Sequence, residues 1–385
     1  MKALEPVGDR LMAKWGRTAP TEAERQDMYR LALSALAGGY LGHVYMDPAR
    51  PTWTPLWGHA LNHAGPCPDY IYLAADVDPK GSYRISGFRG TSVFVEITQQ
   101  AFVMVGDEGT RVPAPATHDL DTLQIGPDGY FSVILSAERP AGHSGDWWQL
   151  FPNTSKLCMR KASNDWLREV DAQVAIERLD EVPPMGPAEI AQRFSNMAAW
   201  IERLVGFDID LARYYREHHG FNRLERSKII ADIGGLPNQV YYDGTHDIRD
   251  DEALIIDTAL PKTVRYWSVL VADDRFGTVD WFNRQSSLNG FQARIDADGR
   301  FRAVISARDP GIHNWLDKGS AAENPSGIMQ LRWNKPSDAP DPVVTKVALA
   351  DVRKHLPAET PLITPEERKA QLRLRREGAQ MRRIW

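Results

Sequence analysis

The 385-residue chain is expected to be mainly β with a helical insert, an α+β protein built from two duplicated jelly-roll-like antiparallel β-sandwich modules. Three observations predict this. Short stretches of alternating apolar and polar residues recur through both halves, the period of a strand with one more deeply buried face. Two of them echo each other 170 residues apart, DGYFSVILSAERPAGHSGDWWQL at 128–150 and DGRFRAVISARDPGIHNWL at 298–316. Each echo opens on an Asp-Gly turn, alternates through a strand (Phe131, Val133, Leu135; Phe301, Ala303, Ile305) and ends in a loop with Trp. Two copies are too few for a solenoid, so the repeat reads as a duplicated β module. Helical periodicity, finally, is concentrated between the two halves, which leaves the strands to form packed sheets on either side.

In chain order, residues 1–46 form an N-terminal helical segment. Thr21 with Glu24 has capping-box spacing, and Met28, Leu31, Leu33, Leu36 and Leu41 roughly follow helical spacing, so a helix is expected from Glu22 to about Ala37, interrupted at Gly38-Gly39. Residues 47–185 are the first module. It begins with a loop, 47–69, whose five prolines exclude regular structure over most of its length and which carries Trp53, Trp57, His59, Asn62, His63 and Cys67. Tyr70–Ala75 and Tyr83–Thr98 read as strands, the second bulged or bent at Gly87 and Gly90. The first echo and a strand around Lys156–Lys161 follow. Residues 165–180 fit either a connector with a short helix or a strand at Val174–Arg178. Residues 186–236 are the insert. Ile190, Phe194, Met197, Ile201 and Leu204 give one helix, and Asp208–His219, stopped by Gly220, a second. Residues 237–360 are the second module, with strands expected at 264–272, at the second echo, at 328–333 and at 343–349. Residues 361–385 are a basic tail, which reads as a helix packed on its own protein rather than as a site for acidic partners.

With 43% hydrophobic and 25% charged residues the chain has the composition of a soluble globular protein, and its net charge of −5 gives no reason to expect nucleic acid or an anionic membrane as partner. Cys67 and Cys158 are too few for a disulfide framework, the N-terminus lacks a signal-peptide apolar run, and no stretch is long and apolar enough to span a membrane, so the cytoplasm is the expected compartment. A homo-oligomer is compatible with all of this.

The second half carries a resemblance on YWSVLVADD, NRQSSLN, DGRFRAVISARDPGIHNWLD and the closing RW…LADVRKHLP, which resemble the bacterial family named domain of unknown function 1214. The first half, with PDYIYLAADVDPKGSYRISGFRGT and GDWWQLFP, resembles the region that precedes this domain in the longer soluble members. The resemblance implies a β-sandwich fold and transfers no catalytic residues. Long soluble members are frequent in bacteria that degrade aromatic and steroid-like compounds, which tilts the expected substrate toward a hydrophobic, aromatic small molecule.

No phosphate-binding Gly-rich loop, Gly-x-Ser-x-Gly elbow, His-Glu-x-x-His or paired Cys-x-x-Cys occurs, so no nucleotide cofactor, serine-hydrolase or zinc chemistry is expected. His59 and His63, four apart, could share a face as metal ligands, but no Glu follows His59 and no third ligand lies nearby, so no metal is expected. What remains are proton carriers beside Trp on loops. His59, His63, Tyr72, His246 and His313 are the candidate acids and bases. Trp53, Trp57, Asp69, Trp147, Trp148, Tyr241, Tyr242, Asn283, Arg284, Asn314 and Trp315 are the candidate substrate-binding groups. The chemistry expected of such a set is a cofactor-independent lyase acting on a phenolic, lignin-type molecule by retro-aldol cleavage or elimination, the phenol supplying its own electron sink. The alternative is a non-catalytic small-molecule-binding or assembly scaffold, with the Trp filling cores.

Overall fold

The computed structural model describes residues 7–100, 114–183, 185–322 and 324–382. Helices α1 (Val7–Trp15) and α2 (Glu22–Gly39) lead into a π-helical turn, Tyr40–Tyr45. The capping box expected at Thr21 and Glu24 is present, each side chain holding the other's backbone N–H. Gly38-Gly39 do not stop the helix. A Cβ on Gly39 would lie 3.0 Å from Trp200, so the glycine serves close helix packing instead.

The first module contains β1 (Thr54–Pro55), β2 (Tyr70–Asp76), β3 (Ser82–Phe88), β4 (Phe94–Gln100), β5 (Ala116–Asp119), β6 (Tyr130–Ser136), β7 (Asp146–Gln149), β8 (Lys156–Ala162) and β9 (Gln173–Arg178). They form a five-stranded sheet, β1-β2-β8-β4-β5, over a four-stranded one, β7-β6-β3-β9. After the long helix α3 (Pro187–His219), the second module supplies β10 (Glu225–Arg226), β11 (Gln239–Asp247), β12 (Glu252–Ala259), β13 (Tyr266–Asp273), β14 (Ser287–Asn289), β15 (Arg300–Ser306), β16 (Trp315–Asp317), β17 (Ser326–Asn334) and β18 (Val343–Ala348). Its sheets are β10-β11-β17-β13-β14 and β16-β15-β12-β18, the same order shifted by nine strands. Pairing is antiparallel throughout except for one short parallel pair in each module, β6 with β7 and β15 with β16.

The two echoes are equivalent strand-plus-loop units down to single hydrogen bonds. Ile134 pairs with Trp147 as Val304 pairs with Trp315. The Trp147 indole N–H donates to Ser136 Oγ at 3.0 Å, and that of Trp315 to Ser306 Oγ at 3.0 Å. Asp146 accepts from the backbone N–H of Gln124 at 2.7 Å, and Asn314 from that of Arg294 at 2.9 Å. Gly129 and Gly299 take φ of 83° and 79° at the two Asp-Gly turns, a conformation in which Gly escapes the Cβ clash. Alternation then buries Phe131, Val133 and Leu135 inside one sandwich and Phe301, Ala303 and Ile305 inside the other. Each large apolar side chain buried in this way contributes roughly 1.5–3 kcal/mol.

Two expectations are corrected and one open reading is settled. The stretch read as one bent strand over 83–98 is two strands, β3 and β4, in opposite sheets. Gly87 and Gly90, at φ 154° and 64°, turn the chain between them, and a Cβ on Gly87 would stand 1.9 Å from the Gln173 carbonyl. The ambiguous 165–180 stretch resolves as the strand β9. The two helices expected in the insert are one, α3, of 33 residues. Asp208, where the second helix was expected to begin, lies inside it, its buried side chain accepting the Ala64 N–H at 3.1 Å. The first half of α3 packs Trp200, Ile201, Leu204 and Val205 on α1 and α2, and the second half drives Leu211, Ala212 and Tyr215 into the seam between the two modules.

The tail is a helix, α4 (Pro365–Met381), opened by a Thr364/Glu367 capping box. Arg368, Arg375 and Arg382, seven residues apart, form one stripe on the protein side. Arg368 bonds Asp309 and the carbonyls of Ile312 and His313 in the second module. Arg375 bonds Trp281 O and Ser287 and stacks on Trp166 of the first module, 4.6 Å from its centroid. Arg382 reaches Asp171 and the carbonyls of Pro68 and Asp69. The basic tail is thus a strap across both modules.

Candidate functional site at the seam between the modules

The five-stranded sheets of the two modules pack face to face, and their facing residues are related by the duplication. Tyr72 pairs with Arg160 in the first sheet as Tyr241 pairs with Arg332 in the second. Tyr72 OH accepts the Cys67 N–H at 3.0 Å, and Tyr241 OH the Leu236 N–H at 3.0 Å. Tyr70 and Gln239 occupy the same place in each copy and meet across the seam, the phenol donating to Gln239 Oε1 at 2.9 Å. Phe94 and Tyr266 are likewise counterparts and pack edge to face, 5.7 Å between centroids.

The seam is unusually polar for a buried interface. The Asp69 carboxylate accepts from Tyr266 OH at 2.6 Å, Asn289 Nδ2 at 2.7 Å and Trp166 Nε1 at 2.8 Å. Cys67 Sγ lies 3.3 Å from Tyr266 OH. Arg332 sits between the Tyr70 and Tyr241 rings, 5.6 and 5.7 Å from their centroids, and donates to Gln330, which donates to Asp243. Arg160 lies over Tyr72 and bonds Thr98 and the Gly234 carbonyl. Neither buried arginine has a carboxylate within ion-pair distance among the described residues, an arrangement that depends on the faces of the surrounding phenols. Burial raises Asp69, Cys67, Tyr70, Tyr72, Tyr241 and Tyr266 above their ordinary values, so the thiol and phenols are protonated at neutral pH.

The two ends of this seam differ. At one end, Pro68, Asp69 and Lys161 are covered by Arg382 and Asp69 is roofed by Trp166 under α4. At the other end, the equivalent ground around Asn238 opens into a cleft of about 680 Å³. Its lining includes Arg226, Lys228, Ile230, Asn238, Gln239 and Tyr241, with Pro237, Lys335 and Pro336 at the edge. Lys335 is held by Asp119 at 2.5 Å with Glu96 at 3.6 Å, whereas Arg226 and Lys228 make no ion pair among the described residues. Gln239 is buried with Oε1 taken by Tyr70, and its Nε2 meets no acceptor in hydrogen-bond geometry.

The five expected proton carriers do not come together. Only Tyr72 lies in the seam. His59 is partly exposed, stacked 4.0 Å from Phe282, with Nε2 3.1 Å from Asp280, and its ring holds the Asp280 carboxyl far below the usual range. His63, four residues on, is fully buried with neither ring nitrogen bonded, and burial lowers it to about 4. His246, on β11, is also buried and unbonded, lowered to about 3. His313 is half-buried against its neighbour Asn314, 3.3 Å away, its pKa lowered chiefly by burial. No group of three His, Cys, Asp or Glu placed to hold a metal occurs among the described residues.

Of the expected binding groups, Trp57, Asp69 and Tyr241 belong to the seam, Trp57 packing edge to face on Tyr72 at 5.3 Å. Trp53 and Trp148 pack in the first sandwich, Trp148 stacked on His118. Tyr242 lies in the second sandwich and bonds Asp341. Trp147, Trp315 and Asn314 hold the echo loops, Asn283 bonds Asp280, and Arg284 pairs with Asp317. Sequence reasoning missed Arg160, Gln239, Tyr266 and Arg332. The available signal was a lone Arg at the same position of two matching strands, KLCMRKA at 156–162 and IMQLRWN at 328–334, flanked by residues expected to be buried.

Residues 243–331, within the second module, match the family described as Protein of unknown function (DUF1214). The first-half resemblance lies outside the matched residues. No curated protein matches the chain. Among solved structures, an uncharacterized protein from Burkholderia cenocepacia is similar at 27% identity and a TM-score of 0.82, covering 91% of this chain and 96% of its own. The VPA0106 protein from Vibrio parahaemolyticus is 15% identical with a TM-score of 0.47, over 82% of this chain and 98% of its own. No helix among the described residues is long and apolar enough to cross a membrane.

Proposed function

We propose that this chain, whose second module carries the DUF1214 match, is a small-molecule-binding protein whose site is the open cleft at the seam. The observation that carries the reading is the cleft itself: about 680 Å³, within the usual size of ligand sites. Its position supports the same reading, since the duplicated ground at the other end of the seam is already occupied by the chain's own helix. Acid–base lyase chemistry asks more of this cleft than binding does. Among the described residues its lining has no histidine, and its one phenol, Tyr241, is pushed above its ordinary pKa by burial.

The test is a thermal-shift and calorimetric screen of ring-bearing small molecules against the purified protein and an Asn238→Trp variant, whose exposed side chain would fill the cleft. Saturable binding to the parent, lost in the variant with its melting temperature unchanged, is expected. Binding that survives Asn238→Trp, or a screen in which nothing binds, overturns the assignment. Assaying each bound compound for disappearance decides whether turnover accompanies binding.

A further inference from the structure

We infer that the cleft selects a ring-bearing anion, for which a carboxylate is the probe, an inference that rests on the cleft being the binding site. The first support is the mismatch between the two ends of the seam. Where the chain fills the site itself, cationic side chains lie on acidic ground: Arg382 pairs with Asp171 at 2.9 Å, and Arg375 lies close enough to Asp69 to favour its charged form. At the open end the charges are reversed. The position of Asp69 is taken by neutral Asn238, and the rim carries Arg226 and Lys228 without carboxylate partners among the described residues. A site that keeps the geometry of its twin but inverts its charge calls for an anion in place of a guanidinium.

The second support is the lining. Beside the two cations stands the exposed Asn238 amide, a donor that can meet a ligand oxygen, while Ile230, Pro237, Pro336 and the Tyr241 ring supply apolar surface. That combination fits a charged group carried on an apolar body. Lys335, already held by Asp119, steadies the mouth and adds little free charge.

Isothermal titration of matched pairs tests this: benzoate, cyclohexanecarboxylate and naphthoate against their primary amides, with the parent protein and an Arg226→Gln/Lys228→Gln double variant. Both substituted residues are exposed, and unchanged melting is the control. The acid is expected to bind at least about tenfold more tightly than its amide, equivalent to about 1.4 kcal/mol. In the double variant the preference should fall below about threefold, and the parent's affinity for the acid should drop as salt rises. Equal binding of acid and amide would overturn the anion inference and leave the binding site standing. A preference retained in the double variant would overturn the role of the two cations. If neither series binds the parent, both the site and its selectivity fall.

Discussion

The two modules are near copies inside and unlike outside. Inside, the register, the Asp-Gly turns and the Trp-to-Ser hydrogen bonds are repeated, because a sandwich core tolerates little variation in side-chain volume. Outside, the two ends of the seam have diverged: one is closed by α4 and its arginines, the other is an open, basic-rimmed cleft. Duplication thus supplied two equivalent surfaces, and the interior constraint that preserved the sandwiches did not bind these. The lesson is that in a duplicated fold the candidate site lies where the copies stop agreeing.

The largest test of this contrast removes the strap. Arg375→Ala should destabilise the protein by about 2–5 kcal/mol, since it leaves the Trp281 and Ser287 carbonyls without donors and opens a void against Trp166. Denaturant melts would show it, and a loss below about 1 kcal/mol would mean that α4 rests on the seam without holding it. Next come the buried imidazoles. His63 and His246, held at about 4 and about 3 when folded, have pKa values below the usual unfolded value of about 6.5. The unfolded chain therefore takes up protons first as pH falls, and stability present above about pH 6.5 is lost on the way down toward pH 4, at up to about 1.4 kcal/mol per unit for each group. The raised carboxylates Asp69, Asp208 and Asp243 act in the opposite sense, their contribution being lost as pH rises. The clean measurement is the difference between parent and His246→Leu, which should move in the variant's favour as pH falls from about 7 to 4.

A smaller effect separates the twin indoles. Trp315→Phe should cost about 1 kcal/mol or somewhat more and Trp147→Phe less, because both lose the bond to Ser Oγ but Trp315 is deeply buried and its N–H also meets the Ser306 carbonyl at 3.3 Å. Equal losses would show that burial adds nothing to the shared bond. Smallest of all, Lys228→Ala should leave stability within about 0.5 kcal/mol, being exposed and unpaired among the described residues. Its effect should appear in ligand affinity alone.

Much of the architecture could be read from the chain. The paired Asp-Gly turns, the alternation of Phe131 and Phe301 with their neighbours, and the Thr21 capping box are local signals, and each fixes structure within a few residues. The join between Phe88 and Phe94 was misread because alternation continues across Gly90, and periodicity does not record a change of sheet. The seam was largely illegible for a related reason. Tyr70 meets Gln239 across 169 positions, and Cys67 meets Tyr266 across 199. No spacing rule connects such residues, and only the duplication, read strand against strand, could have paired Arg160 with Arg332. Histidine and tryptophan drew attention by their chemistry, yet most of them proved to be spread through cores and loop ties, as their bulk also allows.

The arginine stripe of α4 has a consequence for biosynthesis. Arg382 lies 313 positions beyond Asp69, so contacts that cover the first module's end of the seam are made by nearly the last described residues to leave the ribosome. Each sandwich has its own core and the seam between them can pack before that helix is free, but its Asp69 end stays uncovered until then. A nascent chain stalled before residue 365 would leave the Asp69 end of the seam and Trp166 uncovered.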